Sequence, residues 1–162
     1  MRILITGPVA SGKTTLASLL ASAIDYPHLN ISKIASDSNS ISSFDEELNS
    51  LVIDDELLLD HLDPLPENCI IDYHSPSLFP ESWIDLIVCL TCDNQVVYDR
   101  LKKRGYSDVK INVNVDVVIM KIVEEECFES YDREIVHVKQ SDSLEDMEAN
   151  LEFLVDFVGF MI

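Results

Sequence analysis

Residues 3–16 read Ile3-Leu4-Ile5-Thr6-Gly7-Pro8-Val9-Ala10-Ser11-Gly12-Lys13-Thr14-Thr15-Leu16. An apolar strand runs into a glycine-bounded loop and then into a helix, because Leu16, Leu19, Leu20, Ala23 and Ile24 recur at helical spacing. The spacing Gly7-x4-Gly12-Lys13-Thr14 turns successive backbone N–H groups inward around polyphosphate oxygens. It also sets Lys13 against the β- and γ-phosphates and offers the Thr14 hydroxyl to Mg2+. The phosphates then sit on a helix N-terminus, where free N–H groups and the helix dipole favour anions.

Outward from this stretch, strands and helices alternate to the end of the chain, the signature of an α/β fold with a parallel sheet covered by helices on both faces. Strands are expected at Arg2–Thr6, His28–Ile31, Cys69–Asp72, Leu86–Leu90 and Ile135–Val138. The first helix spans Lys13–Ile24 and stops at Asp25-Tyr26-Pro27. The serine-rich run Ser36 to Ser43 reads as a mobile loop, since serine and asparagine side chains compete with backbone pairing, and a helix resumes near Asp54. Asp93 caps a helix from Asn94 to Arg104 that Gly105 stops. A polar stretch, Tyr106 to Asn114, leads into one long helix with Val118, Ile122 and Cys127 facing inward. Ser143 opens the last helix, with Leu144, Met147, Leu151, Leu154 and Val158 on its packed side.

The 162 residues suffice for one domain, 1–162, with a core that needs no metal or disulfide. The first residues form a strand and a loop rather than a charged segment followed by an apolar one, so a secreted protein is not expected. Phe153 to Ile162 is interrupted by Asp156 and too short to span a bilayer, which needs about 20 apolar residues; no membrane association is expected. Thirty acidic residues against 11 basic ones give a net charge of −19. That argues against a protein that grips nucleic acid along a basic stripe, and no strong direct nucleic-acid binding is expected. The clusters Asp45-Glu46-Glu47, Asp54-Asp55-Glu56 and Glu124-Glu125-Glu126 form either a solvated surface or a face for a basic protein partner. Cys89 and Cys92 have the spacing of a metal or redox pair, but no second pair completes a tetrahedral site, and they read, with Cys69, as packed reduced thiols.

Asp72 ends an apolar strand, where a carboxylate is costly unless a cation or hydrogen-bond donor meets it. Beside the phosphate loop it becomes, with Thr14, a candidate Mg2+ contact. His74, two residues on, projects to the same side of an extended backbone. There it either accepts a proton from attacking water or hydrogen-bonds a phosphate, unless it is a loop histidine without a role; His28, His61 and His137 have no comparable neighbours. Of the four arginines, Arg2, Arg100, Arg104 and Arg133, Arg104 precedes the polar stretch and is the candidate to close over phosphates rather than face solvent.

Together with the phosphate loop, the segments Asn30-Ile31-Ser32, Asp72-Tyr73-His74, Phe79-Pro80-Glu81-Ser82-Trp83, Tyr98-Asp99-Arg100-Leu101, Arg104-Gly105-Tyr106 and Glu134-Ile135-Val136-His137 resemble the adenylate kinase isoenzyme six family, also called coilin-interacting nuclear ATPases. The resemblance implies a P-loop fold with a five-stranded parallel core, a monophosphate-binding insertion over 30–53 and a short lid over 104–114. It implies ATP contacts from Gly7, Ala10, Gly12, Lys13, Thr14, Thr15 and Arg104, catalytic roles for Lys13, Asp72, His74 and Arg104, and monophosphate contacts from Asn30, Lys33 and Ser36. The implied activity is that of a Mg2+-dependent adenylate kinase with ATPase activity, handling ATP, ADP and AMP. It would act in small ribosomal subunit maturation, in nucleus and cytoplasm, beside a basic ribosomal protein of the platform. The alternative is an assembly factor switched by nucleotide, with the acidic clusters and Phe153, Phe157, Phe160 and Met161 as its contacts.

The chain departs from the family pattern at three places. Ala10 stands where the family usually has glycine. Ser36 stands where an arginine is frequent on the helix after Asn30, with Lys33 one turn away as its nearest replacement. Ser50-Leu51 takes the place of a Cys-Pro pair. Two of the three fall on the monophosphate side, so ATP binding is the firmer expectation.

Overall fold

The computed structural model describes residues 1–161, and Ile162, the last residue of the terminal apolar run, lies outside the described residues. In chain order the elements are β1 (Arg2–Thr6), α1 (Lys13–Ile24), β2 (His28–Asn30), α2 (Ile31–Asp37), β3 (Ile41–Asp45), β4 (Ser50–Ile53) and α3 (Asp55–Leu62). They continue with β5 (Cys69–Asp72), β6 (Leu86–Thr91), α4 (Asn94–Lys103), α5 (Asp108–Ile119), α6 (Ile122–Ser130), β7 (Val136–Gln140) and α7 (Leu144–Met161). Five strands form one parallel sheet in the order β2-β5-β1-β6-β7, and β3 and β4 form a separate antiparallel pair.

The alternation of the central strands divides the core. Ile3 and Ile5 of β1, with Ile70 and Val88, face α1 and α7 through Leu16, Leu20, Leu154 and Val158. Leu4, Ile71, Ile87 and Cys89 face the other way, onto Ile31, Leu58, Val123 and Cys127 of α2, α3 and α6. Each fully buried Leu or Ile contributes roughly 1.5–3 kcal/mol. Among the described residues the one pair between a lysine or arginine and a carboxylate is Lys102–Asp108, which is exposed on both sides and worth about 0–1 kcal/mol. Apolar burial, not ion pairing, therefore holds this strongly acidic chain together.

Several expected elements differ. Ile31 opens α2 instead of ending β2, because the Asn30 side chain accepts from the Lys33 N–H and starts a helix there. The serine-rich run is not a loop throughout: α2 continues to Asp37 and β3 begins at Ile41. Three of its five hydroxyls are engaged, Ser38 with Ser40 at 2.8 Å and Ser42 on the Val52 carbonyl of the next strand at 3.2 Å. The polar stretch Tyr106–Asn114 is helical from Asp108, capped by Ser107. The one long helix is two, broken at Lys121 in a left-handed conformation (φ 51°). Ile111 of α5 packs with Val97 and Leu101 of α4, whereas Val123 and Cys127 of α6 pack on the sheet. A straight helix could not serve both, and the break leaves Ile122 exposed rather than inward. Ile135 lies in a single turn before β7. Leu144 is 79% exposed and belongs to no packed stripe, since it sits in the first turn of α7 before that helix reaches the sheet.

Candidate functional site

At the carboxyl ends of β1 and β5 the chain must turn sharply, and the phosphate loop does so. Gly7 (φ 147°) is obligatory, because a Cβ there would lie 2.7 Å from the Leu90 carbonyl oxygen. Ala10 adopts φ 65°, a left-handed conformation that normally favours glycine. Its methyl group packs with Val97 and Leu101, and its carbonyl accepts from Arg100 Nη1 at 3.0 Å. Arg100 also donates to the Ser141 and Asp142 carbonyls, each at 3.0 Å. The guanidinium thus ties the loop to the turn after β7 and is spent there. Arg133 lies over the Phe128 ring at 4.8 Å, away from the loop.

Two cavities flank the loop. One of about 360 Å3 is lined by Leu90, Val118 and Val138 with three acids, Asp93, Glu124 and Asp142, against one cation, Lys121, a net negative lining that disfavours polyphosphate. The other, about 240 Å3, gathers Ala10, Gly12, Lys13, Thr14, Thr15, Asn30, Asp72, His74 and Arg104. It has the donors and cations that an anion needs, and it lies where α/β sheets bind ligands, outside the carboxyl ends of adjacent strands.

Within this cleft Lys13 Nζ donates to the Gly7 and Pro8 carbonyls at 3.0 and 2.9 Å, curled back onto its own loop. Burial, reinforced by the Arg104 charge and opposed by Asp72, lowers its pKa to about 8. Asp72 is 3% exposed and its Oδ2 receives three side chains. Thr14 Oγ1 donates at 2.7 Å, His28 Nε2 lies at 3.3 Å and Asn30 Nδ2 donates at 3.4 Å. The hydroxyl–carboxylate pair of Thr14 and Asp72 is a hard oxygen donor set. It suits Mg2+, which takes one or two protein oxygens and fills its shell with water and phosphate. His74 stands at the rim, its ring against Tyr73 with centroids 4.4 Å apart. Loss of solvent, then the Lys13 charge, holds its imidazole below the usual histidine value, with Glu126, Asp55 and Asp72 acting the other way.

The structure therefore brings Lys13, Thr14, Asp72, His74, Arg104 and Asn30 together. It does not bring in Lys33 or Ser36, which are exposed on α2, outside the cleft lining; Ser32, one position before Lys33, lines it instead. His28 was expected to be isolated and is not: β2 pairs parallel with β5, Asn30 opposite Asp72, so His28 and Asn30 project to the same side beside that carboxylate. The His-x-Asn alternation beside an Asp-ending strand is the signal that finds it.

Fold and site define a P-loop enzyme of the kinase and nucleotide-hydrolase class. Deoxyadenosine kinase from M. mycoides with bound dATP superposes with a TM-score of 0.63 at 12% identity, covering 98% of this chain and all of that one. Residues 3–149 match the AAA domain family AAA_18. The Caenorhabditis elegans adenylate kinase isoenzyme 6 homolog is 41% identical, covering 97% of this chain and 88% of that protein. The Saccharomyces cerevisiae homolog FAP7 is 42% identical over 94% of this chain and 79% of that one. The chain belongs to the adenylate kinase isoenzyme 6 family.

Proposed function

We propose that this chain is a Mg2+- and ATP-dependent adenylate kinase with ATPase activity. The observation that supports it is the convergence of Lys13, Thr14, Asp72, His74 and Arg104 on one cleft at the carboxyl ends of β1 and β5. The loop N–H groups hold the polyphosphate, and Lys13 exchanges its two carbonyl partners for phosphate oxygens, which restores a full charge to an ammonium weakened by burial. Thr14 and Asp72 would hold Mg2+, which would supply positive charge to neutralise the phosphate oxygens. Arg104 closes from the rim as the remaining arginine near the cleft. His74 hydrogen-bonds the attacking water and takes its proton, a role that a neutral imidazole can fill at physiological pH. In the kinase reaction a phosphate oxygen of AMP takes the place of that water, with Asn30 and Ser32 on the acceptor side and the insertion 30–53 and the lid 104–114 closing around it.

The acceptor side holds no arginine among the residues lining the cleft apart from Arg104, and Lys33 and Ser36 point elsewhere, so hydrolysis is the larger activity. From the family resemblance we infer work in small ribosomal subunit maturation, in nucleus and cytoplasm, beside a basic ribosomal protein. The net charge of −19 supports such a partner. The switch reading, in which nucleotide only gates protein binding, is favoured by Phe160 and Met161 of α7, 91% and 64% exposed. Phe153 and Phe157 do not add to that face, since they pack with His137.

The test is to incubate the protein with Mg-ATP, with and without AMP, and to quantify ADP and free phosphate for the parent, Lys13→Ala and His74→Ala. Phosphate release that Lys13→Ala and His74→Ala abolish supports the ATPase. ADP made at the expense of AMP and unchanged in His74→Ala supports the kinase. Absence of turnover in the parent leaves the switch and overturns the enzyme reading.

A further inference from the structure

The acidic run on α6 is not uniformly a solvated face. Glu126 turns inward, and its Oε1 accepts from Ser75 Oγ at 3.1 Å, from the Ser77 N–H at 3.1 Å and from Ser77 Oγ. These residues form the turn that follows His74. The turn needs an outside brace, because the sheet ends at Asp72 and the last ladder-like bond is Tyr73 N–H to the Ile5 carbonyl at 3.2 Å. Beyond it the turn closes on itself only through a long Leu78 N–H to Ser75 carbonyl contact of 3.5 Å. A second clamp comes from the same side: buried Tyr131, just after α6, donates its hydroxyl to the Pro76 and Phe79 carbonyls at 2.6 and 2.9 Å. Tyr73 and Phe79 anchor the segment's apolar side in the core.

His74 thus stands on a turn whose polar groups are held by side chains about fifty residues away. We propose that Glu126 is a positioning residue for ATP hydrolysis: by gripping Ser75 and Ser77 it holds the turn that aims His74 into the cleft. The inference rests on the reading that His74 acts on the attacking water. A carboxylate accepting three bonds is a stiff support, and a nucleophile or base displaced by about 1 Å costs up to about a hundredfold in rate.

The test compares His74→Ala, Glu126→Ala, Glu126→Gln and the double variant His74→Ala/Glu126→Ala in phosphate release from Mg-ATP and in thermal unfolding. Glu126→Ala is expected to lower kcat by about tenfold to a hundredfold while KM for ATP stays within about twofold. Glu126→Gln, whose Oε1 accepts the same bonds, returns kcat to within about threefold of the parent. The double variant is no slower than His74→Ala, as expected for two residues acting through one group. Parent-like kcat in Glu126→Ala beside a slow His74→Ala overturns the inference and leaves the role of His74 standing. Parent-like hydrolysis in His74→Ala removes that role and the inference with it. Equal losses in Glu126→Ala and Glu126→Gln also overturn it. If Glu126→Ala loses cooperative unfolding, Ser77→Ala carries the test: a kcat lowered about threefold or more at constant KM supports the inference, and an unchanged kcat overturns it.

Discussion

The phosphate-loop half of the cleft and the half formed by α2 with the β3–β4 pair are built on opposite plans. On the loop side two groups are held from far away in the chain, the Ala10 carbonyl by Arg100 and the Asp72 carboxylate by Thr14 and His28, while Lys13 is held by its own loop. All of it rests on the buried central strands. On the other side a two-stranded ribbon exposes Phe44, Leu51 and Val52, Ser42 bonds across the ribbon to the Val52 carbonyl, and Lys33 and Ser36 face outward. Rigid support is concentrated where charge must be placed on a transferring phosphoryl group, and electrostatic catalysis depends on such preorganisation. The acceptor side is held mostly by local bonds, with Lys110 of α5 on the Asn49 carbonyl at 3.2 Å as its long-range tie, and is the half freer to rearrange.

If that contrast is right, the largest effect belongs to Lys13. Lys13→Ala should cut ATP turnover by about 10²- to 10³-fold, measured as phosphate release, and a smaller loss would break the contrast at its centre. Next is Arg100→Leu, which removes the guanidinium from the Ala10, Ser141 and Asp142 carbonyls and leaves Ser141 with only the weak Cys92 thiol donor. We expect a loss of about 2–4 kcal/mol of stability in denaturant unfolding.

The pH dependence sharpens the comparison further. Lys13 has a pKa of about 8 in the free protein, and bound phosphate raises it, so binding takes up a proton above that value. ATP affinity should then fall as pH rises above 8, by up to about tenfold per unit, and should lose that slope in Lys13→Met; titration calorimetry checks both. The free fold carries the opposite sign. Its Lys13 holds fewer protons than the unfolded chain between pH 8 and the ordinary lysine value of 10.5, so this group stabilises the fold progressively across that window. The smallest effect is expected from Lys33→Ala and Ser36→Ala, each changing KM for AMP by less than about twofold; a larger change would mean that α2 turns into the cleft when the acceptor binds.

Much of the loop side was legible in the chain itself. Gly7, Gly12, Lys13 and Thr14 lie in one continuous stretch whose spacing is the motif, and Asp72 and His74 sit at the end of an apolar strand, so local order reveals them. The β3–β4 pair was not legible, because a serine-rich run has no alternation strong enough to predict pairing, and Ser40 is buried only when Asp54 donates its N–H to the Ser40 carbonyl at 2.9 Å. The break at Lys121 escaped for a related reason. Val118, Ile122 and Cys127 are spaced for one helix, and only the presence of two separate cores forces two.

His28, Arg100 and Glu126 mark the same boundary within the site. As residues in a list they are a lone histidine, one arginine of a basic helix end and one acid of an acidic run. Each acquires its role from a partner 44 to 90 positions away in the chain. The amino-acid sequence by itself determined the phosphate loop, the parallel α/β architecture and the identity of the groups that carry charge, since those depend on periodicity and short spacing. Tertiary structure alone decided which side chains brace those groups and which face away, because strand order and helix packing, not neighbours in the chain, set the distances over which hydrogen bonds act.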